Sequence, residues 1–156
     1  MFKNYENYII IEEVYRVSDN LPLKSQIWGI WTLNLGLFHT ETFIWKRRYD
    51  LTGLTLGCAA NPYPPYISLH PIQNSNYFDI NGVFADVWNE ISHELNFTFW
   101  IKTSPDGMWA KRFDNGTWLG LFGMLQRNEV EFLIGPTLTL ERTNEFDYTL
   151  PILESP

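Results

Sequence analysis

The strongest constraint on this chain is an alternation of apolar patterns across residues 53–134. Leu54-Thr55-Leu56-Gly57-Cys58-Ala59-Ala60 is a near-continuous apolar run of strand length, as a strand covered on both faces requires. Val83, Val87, Trp88, Ile91 and Leu95 then recur at helical spacing, which predicts an amphipathic helix over 82–94 with its apolar face on a sheet. A second strand is expected at 97–101. Turns follow at Ser104-Pro105-Asp106-Gly107 and at Asp114-Asn115-Gly116. Trp118, Leu121, Phe122 and Leu125 predict a second helix ending near Asn128, and 130–134, broken only by Glu131, reads as a third strand. Strand, helix, strand, helix, strand with short connections implies a mostly parallel, doubly wound α/β sheet. Ligands of such sheets sit beyond the carboxyl ends of the strands.

Two segments leave those ends. Gly135-Pro136 stops the third strand, and Thr139 is placed as the N-cap of a helix whose first turn is Leu140, Glu141 and Arg142. Glu141 suits the positive end of a helix dipole. Arg142 does not, and a cation there costs about 0.3–1 kcal/mol at an exposed position. An anion bound at the helix start reverses that sign, with the N–H groups around 137–140 and the Arg142 guanidinium directed at one acidic group. The competing reading sends Arg142 to solvent or pairs it with Glu141, Glu145 or Asp147. The other segment is a long loop, 61–81, opening with Asn61-Pro62-Tyr63-Pro64-Pro65-Tyr66. Structureless loops beyond about 12–15 residues are uncommon unless functional. Tyr66 either faces the cleft or packs on the loop's own prolines.

At 156 residues and 45% hydrophobic, the chain can build one real core, and its 17% aromatic content should be largely buried. A formal charge of −7 argues against nucleic acid or an anionic membrane surface as partner. An anionic ligand then needs a locally positive pocket. Cys58 is the single cysteine, so no internal disulfide or cysteine metal site is available. His39, His70 and His93 lack ligand or catalytic spacing, and no metal or cofactor is expected. Nor is an enzyme, since no Gly-x-Ser-x-Gly, His-Glu-x-x-His, phosphate loop or cysteine–histidine pairing occurs. No apolar run approaches the roughly 18–20 residues of a membrane-spanning helix.

Residues 1–52 read as a separate approach segment and 53–156 as the α/β domain. The first holds a strand or two in 8–17 and irregular structure with aromatic anchors in 21–36. Its basic cluster Lys46-Arg47-Arg48 reads as a solvated linker. The sequence stops at Leu153-Glu154-Ser155-Pro156 with no closing element after an apparent strand, the pattern of a partial lobe.

Thr137-x-Thr139-Leu140-x-Arg142, followed by Asp147-Tyr148-Thr149-Leu150-Pro151, resembles the first ligand-binding segment of ionotropic glutamate receptors. Asp106-Gly107-x-Trp109 and Trp118-x-Gly120-x-x-Gly123 are similar to further motifs of that family, in the same order. The preceding Glu-Val-Tyr-Arg, Leu-Pro-Leu, Trp-Gly-x-Trp and Arg-Arg-x-Asp-Leu-x-Gly-Leu resemble the divergent arthropod chemosensory branch. The resemblance implies one incomplete lobe of a periplasmic-binding-protein-like fold. It implies that Arg142 and Thr137 clamp the ligand's α-carboxylate and that Tyr66 forms a wall of the site. The carbonyl that accepts the ligand's ammonium falls on Gly135, or on Pro136 with a one-residue shift. It further implies a ligand-gated cation channel of the plasma membrane, with this segment extracellular. The expected ligand is a small acid or amino acid. The expected partners are a second lobe and pore of the same receptor, in a tetramer with co-receptor subunits. A soluble solute-binding protein sharing the same lobe is the alternative.

This chain departs from the family pattern in three places. Gly135-Pro136-Thr137 replaces Pro-Leu-Thr, and Val130-Glu131-Phe132 replaces Ala-Asp-Ile at the strand start, keeping an acid but lengthening it. Third, the 156 residues hold no counterpart of the family's pore helices and second lobe, and with those go the residues that read a ligand's side chain and the acid that pairs with its ammonium.

Overall fold

The computed structural model describes residues 2–4 and 7–153; the expected partial end at 154–156 lies outside the described residues. The chain divides into two compact units, residues 1–56 with 87–100, and residues 57–86 with 101–156.

The first unit contains an antiparallel sheet of β1 (Phe2–Asn4), β2 (Tyr8–Tyr15), β3 (Lys24–Thr32) and β4 (Gly36–His39), in that order. The strand expected in 8–17 is β2. Where irregular structure was expected, β3 pairs along all of β2, with a register irregularity between Ile11 and Glu12, and then with β4. The physical reason is visible in the register. Row by row, Ile9 faces Trp31 and Ile10 faces Ile30, so both faces of the ribbon carry apolar residues. The period-2 signal is erased although β-branched and aromatic propensity remains.

The basic cluster is not a solvated linker. It ends the short α1 (Ile44–Arg47) and closes on Glu13, whose side chain is 11% exposed. Arg47 Nε donates to Glu13 Oε2 at 2.9 Å, Arg48 Nε to Oε1 at 2.8 Å, and Gln26 Nε2 to Oε2 at 3.0 Å. Chiefly through the Arg47 bond, the Glu13 carboxyl is held down to about 2. Arg48 also lies over the Tyr15 ring at 4.9 Å. Glu13 lies 34 residues from Arg47, beyond any local charge pattern.

Helix α2 (Val83–Leu95) forms where expected, with Trp88 buried and Val87, Ile91 and Leu95 half-buried, but Val83 is exposed and Ala85 takes the buried place in the first turn. It starts after Gly82, whose φ is +109° and where a Cβ would lie 2.5 Å from the Tyr66 carbonyl oxygen. Only glycine fits there.

The parallel sheet has the order β11 (Phe132–Leu133), β5 (Thr55–Ala59), β8 (Thr98–Lys102). Strand β11 runs parallel to β5, Phe132 opposite Cys58 and Leu133 opposite Ala59. Bonds from Thr98 N–H to the Leu54 carbonyl and from Ala60 N–H to the Lys102 carbonyl keep β5 and β8 in the same direction. Regular strand geometry at 130–134 is confined to β11. Backbone bonds of Glu131 and Ile134 to Gly57 and Ala59 nonetheless carry the pairing across that stretch. Glu131 Oε2 also accepts the Gly57 N–H at 2.6 Å, so the lengthened acid fastens the strand start.

In the second unit the loop expected over 61–81 is largely a hairpin, β6 (Ser68–Pro71) antiparallel to β7 (Phe78–Asn81). Ser68-Leu69-His70 and Phe78-Asp79-Ile80-Asn81 alternate polar and apolar, though over only four residues a strand, and Pro71 is tolerated because both strands of a two-stranded ribbon are edges. The second helix, α3 (Gly120–Gln126), starts later than expected, since Trp118–Leu119 forms β10 against β9 (Lys111–Arg112). Asp106 Oδ2 accepts the Gly120 N–H at 3.2 Å and Oδ1 the Met108 N–H at 3.0 Å; these bonds hold its carboxyl below the usual range, Met108 foremost. Asn61, buried after β5, donates to the Gly107 and Met108 carbonyls and accepts from Thr103 and Ser104. It ties the loop leaving β5 to the loop leaving β8.

Candidate ligand-anchoring site

All five residues singled out from the sequence lie in the second unit. Gly135 has φ of +87°, and a Cβ there would stand 2.7 Å from Ile67 Cδ1 and 3.1 Å from Phe84 Cδ2. The turn after β11 is thus pressed against Ile67 and the Phe84 ring. Phe84 stacks on Tyr66, centroids 5.6 Å apart, and Tyr66 stacks on Tyr63 at 5.5 Å. Trp109 meets Tyr63 edge-on at 6.3 Å. Tyr66 and Gly135 are therefore joined through one ring, which the sequence reading did not assign. Tyr66 is half-buried and packs on aromatic rings.

Pro136 is half-buried and Thr137 exposed. The Thr137 carbonyl accepts from Arg142 Nη1 at 2.9 Å and from the Tyr148 hydroxyl at 3.3 Å. Burial raises the Tyr148 phenol, with Arg142 opposing that shift. Thr139 is the N-cap residue, but its side chain makes no cap bond and α4 (Leu140–Thr143) has four residues. So short a helix has little dipole, and the expected anion site at its start is weaker than one on a full helix.

Arg142 crosses the turn instead. Its guanidinium carbon lies 4.9 Å from the centre of the Phe122 ring. Phe122 meets Phe146 edge-on at 5.0 Å and tilts against Trp118 at 5.7 Å. Among the described residues Arg142 forms no ion pair, so the pairings weighed with Glu141, Glu145 and Asp147 are not made. Glu145 is engaged elsewhere: its Oε1 accepts from Arg112 Nε and its Oε2 from Trp118 Nε1, each at 2.7 Å. The Trp118 bond first, and then Arg112, hold its carboxyl below the usual range. A guanidinium has five N–H donors. One of them serves the Thr137 carbonyl here, while the Thr137 hydroxyl and N–H make no bond among the described residues. Arg142 and Thr137 together offer the donor set a carboxylate takes.

Sequence reasoning passed over Phe122, Phe84 and the Arg112–Glu145–Trp118 group. Phe122 carried a signal only as a core position of a helix. Glu145 and Arg112 lie 33 residues apart and carried none. Among the described residues no cluster of His, Cys, Asp or Glu could hold a metal ion, and no helix is long and apolar enough to cross a membrane.

The glycine complex of a Pleurobrachia bachei ionotropic glutamate receptor ligand-binding domain matches with a TM-score of 0.57 at 23% identity, covering 67% of this chain and 42% of that one. The D-serine complex of a Mnemiopsis leidyi domain matches at 0.58 and 19% identity, covering 65% and 42%. The fold is therefore part of a periplasmic-binding-protein-like α/β lobe. The sequence model described as "ligated ion channel L-glutamate- and glycine-binding site" matches residues 55–156. This chain belongs to that family, the ligand-binding segment of ionotropic glutamate receptors, which are channels rather than enzymes. It is 29% identical over 86 residues to glutamate receptor U1 of Xenopus laevis, covering 54% of this chain and 18% of the relative. It is 28% identical over 133 residues to the kainate 1 ionotropic glutamate receptor of Homo sapiens, covering 80% and 14%. The chain thus spans less than a fifth of the length of either relative.

Proposed function

We propose that residues 53–156 are part of the first lobe of a ligand-gated cation channel subunit, with residues 1–52 as its approach segment, and that the lobe binds a small acid or amino acid. The observation that carries the reading is the Arg142 guanidinium, packed on Phe122 and without an acidic partner among the described residues. Arg142 meets the ligand's carboxylate with two parallel charge-assisted hydrogen bonds, and Thr137 adds its N–H and hydroxyl. The Gly135 or Pro136 carbonyl accepts the ligand's ammonium, and Tyr66, backed by Phe84, walls the site. The motifs of residues 1–52 support the chemosensory branch of the family. The remaining parts of the proposal are a second lobe and pore in the same receptor, an extracellular position at the plasma membrane, and a tetramer with co-receptor subunits.

The test is binding of L-glutamate, glycine and short carboxylic acids to the complete receptor, wild type against Arg142→Ala and Arg142→Lys. Truncating one member of a desolvated charge pair costs about 2–5 kcal/mol, roughly thirty- to several-thousand-fold in affinity. Lysine keeps the charge and loses the planar fork, so it should rescue little. Equal affinity in all three proteins would return Arg142 to an ordinary surface charge.

A further inference from the structure

Glu145 stands three residues after Arg142, in a turn where its own N–H donates to the Arg142 carbonyl at 3.1 Å. Acidic and basic side chains at this spacing on one turn are within reach of each other. Both belong to one aromatic cluster, since Arg142 lies on Phe122, Phe122 contacts Trp118, and Trp118 bonds Glu145. Glu145 is the one of the three acidic candidates that belongs to this cluster, and each of its oxygens is already turned to another donor, Oε1 to Arg112 Nε and Oε2 to Trp118 Nε1.

We infer that Arg112 and Trp118 sequester Glu145, and by doing so keep Arg142 open for an incoming carboxylate. Arg112 is then a positioning residue that acts through Glu145. It comes from β9, a different element from the one that carries Arg142. The inference rests on the reading of Arg142 as the carboxylate anchor. Its physical content is competition: a freed Glu145 is a tethered rival to the ligand's own carboxylate. Trp118 alone retains only one neutral N–H donor, a weaker hold than a guanidinium.

The experiment compares the complete receptor as wild type, Arg112→Ala, Glu145→Gln and Arg112→Ala/Glu145→Gln, with Arg142→Ala as control and L-glutamate and glycine as probes. Arg112→Ala should weaken binding about two- to fivefold, the weight of a partly exposed ion pair. Adding Glu145→Gln should restore it, because glutamine carries no charge to compete. Loss in Arg112→Ala that Glu145→Gln leaves in place, or no loss at all, overturns the inference. Unchanged binding in Arg142→Ala would instead remove the anchor reading beneath it. A structure of Arg112→Ala decides the matter whichever probes bind. The Glu145 carboxylate is expected within 4 Å of the Arg142 guanidinium, and a carboxylate still on Trp118 or turned to solvent overturns the sequestration.

Discussion

The guanidinium carbon of Arg142 lies 4.9 Å from the centre of the Phe122 ring, and Phe122 itself is 1% exposed. A charged group thus rests on the roof of the core rather than in open solvent. The head itself rests on the ring, while its Nη1 donates to the Thr137 carbonyl.

This contact should appear as coupling. Phe122→Leu removes the π face and keeps most of the apolar volume, at a cost of about 1–2 kcal/mol in urea unfolding. In a double-mutant cycle with Arg142→Met, the pair should show a coupling of about 0.5–1 kcal/mol, as expected for a partly exposed cation–π contact. Coupling indistinguishable from zero would mean that Arg142 sits above Phe122 without being held by it.

What was legible in the sequence follows the range of each signal. Helix α2 and the N-cap at Thr139 rest on neighbours within a turn or two, and both were read within a residue. The three strands of the parallel sheet were visible as apolar runs. The hairpin of β6 and β7 does alternate, as Ser68-Leu69-His70 and Phe78-Asp79-Ile80-Asn81, but over only four residues a strand inside a Pro- and Asn-rich stretch, so the signal is short and its pairing register comes from tertiary context. Of the antiparallel sheet β2 is legible, while its pairing with β3 and β4 is hidden because apolar residues lie on both faces. Side-chain partnerships across long separations, Glu13 with Arg47 and Glu145 with Arg112, leave no local trace. Of the candidate site, Arg142 and Tyr66 are marked by a helix start and a long loop, resemblance to a family adds their roles and those of Thr137, Gly135 and Pro136, and the parts of Phe84 and Phe122 show only in the fold.

Gly135 is a sharper structural test than any charged residue. At φ of +87° an alanine is strained, and its Cβ would stand 2.7 Å from Ile67 Cδ1. Gly135→Ala should destabilise the chain by about 1–3 kcal/mol, measured from its unfolding midpoint. Ile67→Val deletes the clashing methyl at a cost of about 0.5–1.5 kcal/mol by itself. The double variant should therefore be less destabilised than the sum of the two. Strict additivity would assign the whole penalty to backbone strain and none to crowding.

Glu13 predicts the acid limb of stability. Its carboxyl is lowered from 4.5 to about 2 by Arg47 first, with Gln26 and Arg48 adding to that and burial opposing it. A depressed acid contributes stability that is fully present above its unfolded value and is lost as pH falls through its folded value. The window therefore runs from about pH 4.5 down to about pH 2. Glu13→Gln keeps the shape and removes the charge, and at neutral pH it should cost about 1.5–3 kcal/mol, the range for hydrogen bonds to charged groups. Other carboxylates also protonate in acid, so the informative quantity is the difference between wild type and variant. That difference should be constant from pH 7 to 5 and shrink steadily below pH 4.5, as wild type loses what the variant never had. Urea unfolding of both proteins at half-unit intervals measures it. A gap that stays constant down to pH 2.5 would mean that the Glu13 charge contributes nothing beyond its packing against Arg47 and Arg48.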